Sequence, residues 1–286
     1  MDTKTIDYCL LESCDSVETF LKSQFHSSGN KLKKYFSKSF LNRRLNEKNT
    51  LVLPLNFVND GQINPNYIGL DLKILYEDEE FFVFEKNPNQ HIHPLTYDEA
   101  DNCLSWLRLH RPEILQVNLD NYDRGLLYRL DYETSGVVVY AKMTSTYKIL
   151  RESFNELVKE KIYKCWVEGE CLQSLDLKHS FTSSETKGKK ILVAASGVHE
   201  KVGELHVKPI RYDQLLRRTL IEVTLKTGLR HQIRAQMAHV GFPLAGDLLY
   251  GGKAARRLYL HAWRYRLSFE SKDYVFESEP NEFEGL

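Results

Sequence analysis

At its middle the chain reads Tyr128-Arg129-Leu130-Asp131-Tyr132-Glu133-Thr134-Ser135-Gly136, followed at once by Val137-Val138-Val139-Tyr140-Ala141-Lys142. The apolar, β-branched run predicts a buried strand, and Thr-Ser-Gly predicts the tight turn that leads into it. Asp131 then stands at the mouth of a buried strand, where a turn can present one carboxylate to a cleft. Taken locally, an Asp in this place also serves simply to hydrogen-bond turn amides. The rest of the chain decides between the two readings.

The stretch resembles the R-L-D-x-x-T-S-G-x-x-x-x-A-K signature of the RluA-type pseudouridine synthases. Two more segments agree with that family in the right order. Val158-Lys159-Glu160-Lys161-Ile162-Tyr163, with Val167 and Gly169 after it, resembles the family's K-x-Y segment. Thr227-Gly228-Leu229-Arg230-His231-Gln232-Ile233-Arg234, continuing to Gly241, Pro243, Gly246-Asp247 and Tyr250-Gly251, resembles the T-G-R-x-H-Q-I-R helix and its G-x-P-x-x-G-D-x-x-Y-G continuation. Upstream, Ile74 to Glu79 with Val83, Lys86, Pro88 and His93-Pro94 is similar to the opening of the same catalytic domain. The likeness covers about residues 69 to 270, and three ordered motifs are far more specific than one.

The resemblance implies isomerisation of uridine to pseudouridine in structured RNA, ribosomal or transfer, without cofactor or metal. The bond from C1′ to N1 of uracil breaks, the base turns, and C5 takes its place. Asp131 is implied as the catalytic carboxylate, acting as nucleophile or as counter-charge to a developing sugar cation. Tyr163 is implied as the aromatic that stacks on the flipped base and assists proton removal. Arg234 is implied as the guanidinium that pairs with Asp131 and favours its charged form. Arg129 would help fill the space left by the extruded nucleotide, because C1′ is inaccessible inside a stacked helix. Lys161, Arg230 and His231 are candidate substrate contacts, as is Lys142, with Arg230 and Arg234 four residues apart on one helical face. Two positions depart from the pattern: most relatives have His at Tyr128 and Arg at Leu229. These bear on substrate choice and rate more than on reaction type.

Two other function classes compete. One is a non-catalytic RNA-binding protein that keeps the fold; retention of Asp131, Tyr163 and Arg234 together opposes it. The other is a glycoside hydrolase, which needs two opposed carboxylates; the nearest second acid, Asp247, reads as structural. His91 and His93 form an H-x-H pair, and His231 and His239 share a helical neighbourhood, but neither pair has companion Cys or carboxylates at zinc spacing, so no metal is expected.

The 286 residues balance 39 Lys and Arg against 39 Asp and Glu. Global neutrality argues mildly against an RNA partner, but phosphate binding needs only a local patch. Lys31, Lys33, Lys34, Lys38, Arg43, Arg44 and Lys48 crowd one segment, whereas acids collect at Glu77 to Glu80 and Glu277 to Glu284. A solvated helix face and a phosphate patch both fit such a run. No stretch approaches the roughly 20 apolar residues of a membrane helix. Five scattered cysteines and an N-terminus without signal-peptide character suit the cytoplasm. Relatives of this type are commonly monomeric, and a monomer is expected.

Two domains are expected: residues 1–66, a small basic N-terminal unit that is helical or S4-like, and 67–286, the catalytic domain. In the first, helices are predicted around Val17 to Phe25 and Leu32 to Phe40, joined by Ser27-Ser28-Gly29-Asn30, with a strand at Thr50 to Leu55 and a turn at Asn59-Asp60-Gly61. Asn64-Pro65-Asn66 marks the linker. In the second, strands are predicted at 70–76, 81–85, 161–169, 203–212 and 217–226, and a helix at 144–159 capped by Thr144 or Ser145. Residues 183–203 read as exposed loops. The irregular order of strands and helices predicts an α+β fold with a mixed, largely antiparallel sheet flanked by helices.

Overall fold

The computed structural model describes residues 4–25, 27–59, 62–119, 121–183, 190–194, 201–280 and 283. Of the expected features, the turn residues Asp60 and Gly61, most of residues 184–200 and most of the acidic tail after Pro280 lie outside these. The chain divides into two compact units. One comprises residues 1–64 with 94–100, the other 65–93 with 101–286. The short 94–100 segment therefore joins the first unit, a detail that a single linker at residues 64–66 does not convey.

In the first unit, β1 (Thr5–Cys9) pairs antiparallel with β2 (Thr50–Pro54), which runs directly into α4 (Leu55–Val58), and α1 (Val17–Gln24), α2 (Gly29–Tyr35) and α3 (Lys38–Leu41) lie between the two strands in sequence. Ser16, Ser28 and Ser37 cap these three helices, each side chain accepting the N–H of the residue three positions on. Val17, Leu21, Leu32, Leu51, Leu53 and Phe57 bury the apolar faces in one core. Lys33, Lys34, Lys38, Arg43 and Arg44 are left exposed.

The second unit is built on one ten-stranded sheet. Its strands are β3 (Lys73–Glu77), β4 (Phe81–Lys86), β5 (Ser135–Ala141), β6 (Val158–Glu168), β7 (Leu175–Ser183), β8 (Ile191–Ala194), β9 (Lys201–Asp213), β10 (Arg218–Leu225), β11 (Leu260–Phe269) and β12 (Lys272–Glu277). Their spatial order is β3-β4-β5-β11-β6-β10-β9-β7-β8, with β12 paired to β11. Among the described strand pairs only the β5–β11 join is parallel, so the sheet is mixed and largely antiparallel. The Val137-Val138-Val139 run lies in the fully buried β5, as its composition requires. Helices α5 (Cys103–His110), α6 (Thr144–Glu152), α7 (Phe154–Leu157) and α8 (Gln232–His239) complete the unit. Among the described residues no helix is long and apolar enough to cross a membrane.

Three expectations are corrected. The helix from residue 144 ends at Glu152 and, after the short α7, becomes strand at Val158, because Val158 to Ile162 pair with β11. Neither Thr144 nor Ser145 caps it; Met143 occupies the cap position without a side-chain bond. Residues 183–203 are not all loop, since Ile191–Ala194 pairs with β7 as an edge strand. The apolar, β-prone run Ile191-Leu192-Val193 accounts for that.

Candidate active site

Asp131 lies in the turn before β5. The turn is closed by the Thr134 N–H donating to the Asp131 backbone carbonyl at 3.1 Å. The carboxylate takes no hydrogen bond from the turn amides among the described residues, so it is not spent as a cap, and 27% of the side chain stays exposed. From beneath, Lys86 holds the turn. Its buried ammonium donates to the carbonyls of Asn87 (2.8 Å), Gln90 (2.9 Å) and Tyr132 (3.1 Å). Burial lowers the Lys86 pKa to about 8, against the pull of nearby Asp131 and Glu133. Lys86 belongs to the opening motif of the domain, but its task is not visible in the sequence, because its acceptors are carbonyls brought together only by folding.

Glycine is required at the start of β5. Gly136 has φ +116, and a Cβ there would stand 2.3 Å from the Ala262 carbonyl oxygen of β11. That close approach is the parallel join of β5 to β11.

Tyr163 enters from β6, where it pairs with Ala262 of β11 and Val223 of β10. It is buried. Burial first, and the Asp131 charge second, push its hydroxyl well above the usual tyrosine range, so it remains a protonated phenol.

Arg234 projects from α8 with only 3% of its side chain exposed. Its fork is taken by Asp247: Nε donates to Oδ2 at 2.8 Å and Nη2 to Oδ1 at 2.9 Å. Nη1 donates to Glu133 Oε2 at 3.2 Å and stands 3.9 Å from Asp131 Oδ2. The expected pairing with Asp131 is thus present but longest of the three. Burial works most strongly against the Arg234 charge, but the Asp247 bond and the charges of Asp247, Glu133 and Asp131 together outweigh it and raise the pKa. The Asp131 carboxyl is held above the ordinary range, by burial first, with His231 and Arg234 pulling it down and Glu133 pushing it up. Asp247 is fully buried and acts as the anchor of the arginine. Glu133 is not among the expected site residues, although its spacing of two from Asp131 in the same turn is a signal for it.

Arg230 and His231 depart from the helical reading. His231 has φ 53 and ψ 23, and α8 begins only at Gln232, so Arg230 lies in the preceding turn rather than on the Arg234 helix face. Arg230 is exposed, and its charge still pulls the Asp131 pKa down, the least of the named influences on it. His231 Nδ1 is 3.0 Å from the Tyr250 hydroxyl, which also accepts the Ile191 N–H. Burial lowers the His231 pKa, partly offset by Asp131. Lys161 donates to the Thr227 carbonyl at 3.3 Å, which ties β6 to the loop before α8. Arg129 is exposed. Lys142 is taken up by Glu77 and the Asp78 carbonyl.

The two departures from the motif are absorbed by packing. Leu229 lies against the Phe181, Ala235 and Tyr250 cluster. Tyr128 stacks on Tyr265 and donates to the Val137 carbonyl at 2.8 Å. The histidines considered for metal have other partners: His91 lies 4.4 Å from the Tyr132 ring, and His93 is 3.1 Å from Asp123. No cluster of three or more His, Cys, Asp or Glu suited to a metal occurs among the described residues.

Residues 80–239 match the family model described as RNA pseudouridylate synthase, a range that contains Asp131, Tyr163 and Arg234. The Ribosomal large subunit pseudouridine synthase D of Pseudomonas aeruginosa is 30% identical over 184 residues, covering 64% of this chain and 55% of that protein. The protein of the same name from Neisseria meningitidis serogroup A is 31% identical over 219 residues, covering 72% and 55%. The chain therefore spans about half the length of these curated relatives. Human RNA Pseudouridylate Synthase Domain Containing 1 shares the fold, with a TM-score of 0.61 at 20% identity over 73% of this chain and 83% of that one.

Proposed function

Because the chain belongs to the RNA pseudouridylate synthase family, we propose that it isomerises specific uridines of structured RNA to pseudouridine, with Asp131 as the catalytic carboxylate. The observation that carries this reading is the carboxylate itself. It is partly exposed, free of its own turn, and within 3.9 Å of a buried guanidinium that is anchored elsewhere. A carboxylate held in this way is available to C1′, as nucleophile or as counter-charge to the sugar cation. The N1–C1′ bond breaks, C5 bonds to C1′, the C5 proton leaves and N1 gains one, so the reaction is a redox-neutral isomerisation.

Tyr163, a protonated phenol beside Asp131, stacks on the extruded uracil, and a water held by its hydroxyl carries the C5 proton away to solvent. Arg234 keeps Asp131 oriented and favours its ionised form. Arg129, exposed just before Leu130, enters the stack as the nucleotide leaves it. Lys161, Arg230 and His231 line the approach and contact the RNA backbone. The target class is ribosomal RNA, as the names of the bacterial relatives suggest. The N-terminal unit serves as a degenerate S4-like RNA contact, supported by its exposed Lys33, Lys34, Lys38, Arg43 and Arg44. Five unpaired cysteines suit a cytoplasmic protein, and we take it to act as a monomer.

The test uses purified protein on total RNA isolated from cells lacking the gene, which contains the target unmodified. Wild type should form pseudouridine at one or a few positions, and Asp131→Asn should form none while binding the RNA with similar affinity. RNA binding without isomerisation by wild type would favour the non-catalytic reading.

A further inference from the structure

Tyr265 of β11 lies opposite Lys161 of β6. Tyr163 follows Lys161 by two on β6 and so shares the face of Tyr265, across the irregularity that β11 shows between Ala262 and Arg264, and the two phenols are close enough to interact electrostatically. Tyr128 clamps Tyr265 from the side, with ring centroids 4.3 Å apart and planes 8° from parallel. The Tyr128 hydroxyl is satisfied by the Val137 carbonyl. The Tyr265 hydroxyl is buried and has no hydrogen-bond partner among the described residues.

A buried, unsatisfied hydroxyl costs stability, and phenylalanine would fill the same space without it. Packing therefore explains the ring of Tyr265 but not its oxygen. Tyr140 also carries an unpartnered buried hydroxyl, so orphaning alone decides nothing. What sets Tyr265 apart is its place beside Tyr163. Burial raises the hydroxyls of Tyr128 and Tyr265 well above the usual range, and each also feels Tyr163, which in turn feels Asp131.

We propose that Tyr265 is a positioning residue for Tyr163: its hydroxyl supplies the polar contact that fixes the Tyr163 phenol once an extruded uracil covers it, while Tyr128 holds the Tyr265 ring. The inference rests on the pseudouridylation reading of Asp131 and Tyr163.

The experiment compares wild type, Asp131→Asn, Tyr265→Phe and Tyr140→Phe on total RNA from cells lacking the gene, with Tm measured for each. Tyr265→Phe should keep or raise Tm, leave KM for RNA little changed, lower kcat roughly 10- to 100-fold, and alter the pH–rate profile. Tyr140→Phe should keep or raise Tm with wild-type kcat and profile. A Tyr265→Phe enzyme with wild-type kcat, or one whose lost activity tracks a lowered Tm, overturns the inference while Asp131→Asn stays dead. An inactive wild type, or an active Asp131→Asn, sinks the underlying reading and the inference with it.

Discussion

Arg234 reaches Asp131 at 3.9 Å but grips Asp247 at 2.8 and 2.9 Å. The arginine of the site is thus anchored by one carboxylate so that it can be offered to another. Asp247 is fully buried and Arg234 nearly so, and removing one partner of a buried pair leaves the other charge uncompensated. Asp247→Ala should lower unfolding free energy by about 3–5 kcal/mol, read by urea denaturation. Activity should fall with it, because the guanidinium loses its orientation.

The raised pKa of Asp131 sets a pH dependence. A carboxyl whose folded pKa lies above its unfolded value favours the folded state only while protonated, and that contribution is lost as pH rises through the folded pKa. Asp131→Asn should therefore be more stable than wild type at neutral pH. The advantage should shrink on acidification and vanish below about pH 4, near the unfolded pKa of Asp. Thermal midpoints across pH check this; an Asn variant less stable at neutral pH would contradict it.

Much of this site was legible in the sequence. The β-branched run after Thr134-Ser135-Gly136 reads as a buried strand, and the turn before it sets Asp131 at the strand's mouth. Strands β6, β9 and β10 likewise announced themselves within a few residues. What was not legible depends on the chain's path. The helical spacing of Leu150, Phe154 and Val158 hid the point at which tertiary pairing takes Val158 into the sheet. The left-handed His231 that removes Arg230 from the helix leaves no mark in composition. The grip of Asp247 on Arg234 requires the chain to turn at Gly246, where φ is +83 and a Cβ would strike the Arg257 carbonyl.

Gly136→Ala tests the strand join that seats the Asp131 turn. Positive φ and the 2.3 Å approach of the Ala262 carbonyl both oppose a side chain there. A loss of at least about 2 kcal/mol is expected, with weakened activity in the fraction that folds. Stability equal to wild type would show that β5 and β11 are not so closely joined.

Tyr163→Phe should bind RNA as wild type does and keep its fold, since the ring remains in place on β6. Its rate should fall by about 10²–10⁴ if the hydroxyl takes part in proton removal, read in single-turnover assays.

The basic N-terminal unit makes a salt-dependent prediction. Lys33→Ala and Lys38→Ala should each reduce the slope of log affinity against log salt by about 0.7–0.9 if the side chain contacts a phosphate. Unchanged slopes in filter-binding titrations would remove this face from the RNA interface.

The most direct measurement is a pseudouridine map of total RNA from cells with and without the gene, read by a pseudouridine-specific chemical stop. The account predicts that deletion removes one or a few sites, and that wild type restores them while Asp131→Asn does not. Sites that persist after deletion, or that return with Asp131→Asn, would contradict it.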